Sequence, residues 1–242
     1  MKLISFERAQ VLQPFVADEF RPEHDFYIPR LYNLAHQRYG FLSASDQTKA
    51  AAEGVKFQHG RLEFEGSEIA IQNLDVYIDG ILANCRTSRE ADIVIDDAAA
   101  WLASTFGFRI PQTMTPRTYT SWLTVEFSAS TTALFKNFSK VQHLVAETYA
   151  VAHQGAKLAF DLARLSLRSD PPPLSQFVNT DFIIDRRINV PYSQNRFFCG
   201  APLKTQAHLQ FLEKLEALIE ASAGSADRGG ASGARPHHGP AA

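Results

Sequence analysis

Residues 55–86, "VKFQHGRLEFEGSEIAIQNLDVYIDGILANCR", decide how this chain folds. Apolar and polar side chains alternate through the run, which is the period of a half-buried strand. Dipeptides ending in glycine punctuate it at His59-Gly60, Glu65-Gly66 and Asp79-Gly80. Two-residue hairpin loops favour glycine because their central residues take positive φ. Taken as three such loops, the segment is a four-stranded antiparallel meander. Counting outward from the loops, Phe57 faces Leu62, Leu62 faces Ile69, Phe64 faces Ser67 and Ile78 faces Ile81. The apolar set that ends at Ile71 and the set that starts at Leu74 differ in parity. One extra residue would restore a single apolar face, so a β-bulge is expected at Gln72-Asn73.

The pattern changes directly after this run. Thr87 followed by Glu90 is a capping box. Ala91, Val94, Ile95, Ala98, Trp101, Leu102 and Phe106 then recur at helical spacing up to Gly107, a C-cap residue. Alternation returns at 117–128, with Tyr119, Leu123, Val125 and Phe127 on one side and Thr118, Thr120, Thr124 and Glu126 on the other. A helix is expected next, with Leu134, Phe138, Val141, Val145 and Tyr149 on a buried stripe. Residues 157–168 suit a strand or a helix; a strand pairing with "FVNTDFIIDRRINV" is preferred. The last helix starts near Thr205, and "YIPRLYNLAHQRYG" is a helix with Pro29 in its first turn. No internal repeat is visible. The order lacks regular strand–helix alternation, so the expected class is α+β: a mostly antiparallel sheet including a four-stranded bulged meander, with helices packed on one face.

The chain has 242 residues with 45% hydrophobic content, enough to bury a core without disulfides or metals. A single globular domain over 1–222 is expected, and a disordered Gly/Ala/Ser/Pro tail over 223–242. A formal charge of −2 supplies no global field for nucleic acid or an anionic membrane, and neither is expected as a partner. Cys85 and Cys199 lie far apart, which fits a reducing compartment. With no signal-like apolar core at the start and no membrane-length apolar run, a soluble cytoplasmic protein is expected.

Candidate chemistry is sparse. Asp75, Asp79, Asp96 and Asp97 are explained by a wet sheet face, a turn and a wet helix face. No histidine pair has zinc-ligand spacing, and His208 falls on a buried helix side as a hydrogen-bonded core residue. GxSxG and phosphate-binding loops are absent, and both cysteines read as small core residues. No cofactor and no metal are expected. What remains is "DRRINVPYSQNRFF", 185–198, in which Arg186, Arg187, Tyr192, Asn195 and Arg196 form a candidate grip for an anion or a partner.

Two functional expectations follow. The first is a non-catalytic interaction or assembly subunit, docking another protein chain or a second copy through a polar sheet face and the Arg/Tyr loop. The alternative is an enzyme on a small anionic, phosphorylated or nucleotide ligand held by Arg186, Arg187 and Arg196, with Asp75 or Asp185 moving the proton.

Overall fold

A computed structural model of the chain describes residues 1–16, 20, 22, 27–46, 54–111, 115–128, 138–152, 158, 162–168 and 181–227. The elements run β1 (Lys2–Pro14), α1 (Ile28–Tyr39), β2 (Ser43–Ala44), β3 (Val55–Phe64), β4 (Ser67–Tyr77), β5 (Gly80–Cys85) and α2 (Ser88–Phe106). They continue with β6 (Thr118–Glu126), α3 (Phe138–Ala152), β7 (Arg164–Leu167), β8 (Phe182–Arg186), β9 (Arg196–Ala201) and α4 (Thr205–Asp227). All nine strands join one antiparallel sheet in the order β2-β3-β4-β5-β1-β6-β9-β8-β7. The α+β class with helices packed against the sheet therefore stands. Residues 228–242, most of the expected tail, lie outside the described residues, as does Leu134 of the expected stripe.

The deciding run folds with corrections in detail. Glu65 and Gly66 both take positive φ (48° and 76°), as a tight hairpin requires, and Leu62 lies opposite Ile69. His59-Gly60 is not a turn: β3 runs through it and pairs with β4 from Val55↔Val76 to Phe64↔Ser67. The four-stranded run is therefore β2 to β5, its outermost strand coming from Ser43–Ala44 upstream. Gly60 is glycine because of Phe41: a Cβ there would stand 2.4 Å from ring carbons Cδ1 and Cε1. The third loop is Ile78-Asp79, so Val76, not Ile78, faces Ile81, a two-residue slip that preserves which face each side chain takes.

The parity break is also real but is not an inserted residue at Gln72-Asn73. Both strands change parity at the same place. Buried positions go from Val55 and Phe57 to Leu62 on β3, and from Ile69 and Ile71 to Leu74 and Val76 on β4. The register is the same on either side, Gln58↔Asn73 and Gly60↔Ile71, with His59 at φ 57° between them. A left-handed residue rotates the hairpin end, so both strands exchange faces together. The register irregularities of this sheet lie in β1, where its pairing with β6 shifts between Leu3 and Ser5 and again between Phe6 and Arg8.

Helices α1, α2 and α4 share one face. The capping box of α2 is formed, with Thr87 Oγ1 accepting from Glu90 N–H (3.3 Å) and Glu90 Oε2 accepting from Thr87 N–H (3.0 Å). Small residues Ala91, Ala98 and Ala99 let α2 lie close on the sheet, where Val94, Ile95 and Leu102 join Val11, Leu74, Ile81 and Ala83 in the larger core. Leu31, Tyr32, Ala35 and Tyr39 of α1 extend that core over β3. Leu212 and Ile219 of α4 close a smaller core with Leu123, Val125, Phe197 and Cys199. The stripe expected on α3 is not buried: Val141 and Val145 are 47% and 40% exposed.

The element order repeats. Strand, helix, three strands, helix occurs as β1-α1-β3-β4-β5-α2 and again as β6-α3-β7-β8-β9-α4, with β2 and the short 3₁₀ turn Tyr192–Gln194 the additions among the described residues. From the β1–β6 seam the sheet order is β5-β4-β3 on one side and β9-β8-β7 on the other. The two halves are thus related by a pseudo-twofold axis through the seam. In that seam Ala9 lies opposite Ser121, and each also begins the pairing with its own outer strand, Ala9 with Cys85 and Ser121 with Ala201. Beside it Ser88 N–H donates to Thr205 Oγ1 (2.9 Å) and Thr205 N–H donates to Ser88 Oγ (3.0 Å).

Candidate binding face

The face opposite the helices is organised in rungs. Its central rung crosses five strands through Gln58, Asn73, Asn84, Gln10 and Thr120, each opposite the next. All five are uncharged side chains that can hydrogen-bond. On one side of this rung, Lys56 lies opposite Asp75, which is opposite Leu82, which is opposite Leu12. On the other, Arg8 lies opposite Trp122, which lies opposite Gly200. The missing side chain at Gly200 leaves room for the indole; a Cβ there would sit 3.1 Å from Trp122 Cδ1. The Arg8 guanidinium covers the ring at 4.1 Å from its centroid. Nine strands spaced about 4.8 Å apart make this face roughly 40 Å across.

Carboxylates and arginines alternate near the seam. Glu7, at a β1 register shift, accepts from the Thr124 hydroxyl and from Ser5 Oγ (2.7 Å), with Arg187 Nη2 at 3.8 Å. The Thr124 hydrogen bond, then Ser5 and Arg187, hold its carboxyl below the usual range against partial burial. Arg196 Nη2 donates to Glu126 Oε2 (3.0 Å). Asp75 is buried, with 8% exposure, and Tyr77 OH donates to its Oδ2 (3.1 Å). Burial raises its pKa, and the Tyr77 bond and Lys56 oppose that rise. Asp75 Oδ1 and Asn84 Oδ1 are buried with no hydrogen-bond partner among the described residues.

The candidate loop residues do not converge. Arg186 and Arg187 are consecutive in an extended segment and point to opposite faces. Arg186 is buried on the helix side, its guanidinium 4.8 Å from the Phe197 ring centroid. Arg187 and Arg196 share the open face and are held by Glu7 and Glu126. Asn195 has φ 46°, and its carbonyl accepts from Phe127 N–H (3.0 Å), so it shapes the entry to β9. Tyr192 begins the 3₁₀ turn Tyr192–Gln194. The nearby acids are engaged by other arginines, Asp181 by Arg168 (2.7 Å) and Asp185 by Arg164 (3.9 Å).

Other candidates fall into structural roles. Asp97 accepts from Arg38 Nη2 (2.6 Å) and Tyr39 OH (2.7 Å), tying α2 to α1. Asp92 and Asp96 both accept from Arg117, which also donates to Gln13 (2.9 Å). His208 is buried and bonded to Ser121 Oγ (2.9 Å), and burial brings its pKa down to about 4. Burial pushes the Cys85 and Cys199 thiols up to about 12, so neither is a ready nucleophile. Among the described residues no cluster of three or more His, Cys, Asp or Glu side chains can hold a metal ion.

The sequence reading missed Arg8 and Trp122 as a pair. Trp122 was legible, since it shares parity with Thr120 and Thr124. Arg8 was not, because the two shifts in β1 scramble its alternation.

No family model and no curated protein matches the chain. Among solved structures, Methanococcus jannaschii TBP is similar at 12% sequence identity over 91% of this chain and 98% of that one, with a TM-score of 0.40. A likeness that loose carries no argument here. Among the described residues no helix is long and apolar enough to cross a membrane.

Proposed function

We propose that the protein is a non-catalytic docking or assembly subunit that presents the open face of its sheet to another protein chain, in the cytoplasm. The observation that carries this is the Arg8–Trp122 stack near the seam of a face roughly 40 Å wide, with α1, α2 and α4 all on the other side. Tryptophan and arginine are the residue types that most often anchor interfaces. The uncharged rung beside them, where Gln58, Asn73 and Gln10 are at least partly exposed, offers donors and acceptors that a partner can satisfy without burying a charge. The enzyme alternative asked three arginines to close on one anion, and the geometry separates Arg186 from the other two.

The test is capture by the full-length chain from lysate, compared with a Trp122→Glu variant and backed by light scattering at micromolar concentration. A stoichiometric partner or a dimer that Trp122→Glu abolishes is expected. A monomer without a stoichiometric partner, or a partner that Trp122→Glu retains, refutes the reading. A thermal-shift screen with nucleotides and phosphosugars should stay flat; an upshift lost in Arg187→Ala but not in Arg61→Ala would favour the enzyme.

A further inference from the structure

We infer that the segment docked on the open face is acidic, an extended peptide laid across the strands with a carboxylate on Arg8. The inference rests on the docking reading above and adds the chemistry of the partner. Charge on this face is uneven. Arg187 is matched by Glu7 and Arg196 by Glu126, whereas Arg8 pairs with no carboxylate among the described residues. It is exposed. It is held over a ring, 4.1 Å from the Trp122 centroid. A guanidinium fixed over an aromatic ring keeps its edge donors free and pre-aimed, which suits a carboxylate fork. The chain as a whole carries −2, so this excess of positive charge is local.

The rung of Gln58, Asn73, Asn84 and Gln10 specifies the rest of the occupant. Four strand intervals from Gln58 to Thr120 span about 19 Å, the length of roughly six residues of extended chain. Side-chain amides both donate and accept, as a peptide backbone does. A nucleic-acid strand fits less well. Glu7 and Glu126 stand among the arginines on the same face and would meet its continuous row of phosphates with repulsion, whereas a peptide with spaced acids can avoid them.

The experiment is fluorescence anisotropy on the full chain with three labelled probes: a twelve-residue peptide of alternating Glu and Ser, its Gln/Ser counterpart, and twelve-residue oligo-dT. The Glu/Ser peptide should bind in preference to the other two. Arg8→Glu and Arg8→Gln should each weaken it by about tenfold or more, and Arg61→Glu should leave it unchanged. Equal binding of the Gln/Ser peptide, indifference to both Arg8 variants, or tighter Arg8-dependent binding of oligo-dT would overturn the inference. If the probes fail while a Trp122-dependent partner is captured, the docking reading survives and the acidic occupant does not. If that partner is also missing, both fall.

Discussion

Replacing Gly60 with alanine puts a methyl carbon 2.4 Å from Phe41 Cδ1 and Cε1, well inside contact distance. The ring has little room to yield. Phe41 is 3% exposed, stacked on Phe57 at 5.0 Å between centroids and tilted against Tyr39 at 5.4 Å. Extra carbon in a packed core typically costs about 1–3 kcal/mol, and with a neighbour pinned on two sides about 2 kcal/mol is expected. In a chain of this size that corresponds to a Tm lower by roughly 4–8 °C. Urea unfolding should show a lower midpoint at an unchanged m-value. The decisive measurement is a double-mutant cycle with Phe41→Leu, whose flexible branch can step aside. In that background Gly60→Ala should cost less than about 1 kcal/mol, a coupling of at least about 1 kcal/mol. Additive costs would refute the packing argument and return Gly60 to a role in backbone conformation alone.

Two further outcomes follow from buried polar groups. Thr205→Ala removes the acceptor for Ser88 N–H, both residues being buried, and should cost about 1–2 kcal/mol in denaturant melts, while Thr205→Ser keeps the oxygen and should cost under about 0.5 kcal/mol. His208 has a folded pKa of about 4 against an unfolded value of about 6.5. The unfolded chain therefore takes up the proton first on acidification. Stability that is full above pH ~6.5 should fall by up to about 3 kcal/mol as pH drops towards 4, and the difference from His208→Gln isolates that slope. A variant with the same slope would remove the histidine from the account.

What could be read in the sequence depended on how local its signal was. Helix α2 was legible because Thr87, Glu90 and Gly107 each act within a turn of the backbone they cap. The faces of β4 and β5 were legible even though their register was two residues out, since a slip of two keeps parity. Strand β1 was hidden because its shifts put Leu3, Phe6 and Ala9 three apart, a spacing that belongs to helices. Gly60 misled because glycine serves two ends, positive φ in a turn and absence of a Cβ beneath a ring, and only the second applies. The arginine loop was found as a composition, but consecutive residues on a strand face opposite ways, so Arg186 could not act with Arg187. The duplication of the element order left no trace in residue pattern.

The clasp between Ser88 and Thr205 makes the first turns of α2 and α4 interdependent. Each helix has an opening amide that its own half of the chain leaves to the other half's hydroxyl. Each half therefore completes the opening turn of the other's helix, and drawing the halves apart would leave both amides to water at once. The seam between β1 and β6 thus works as a latch fastened from both sides, and motion across it should be all-or-none.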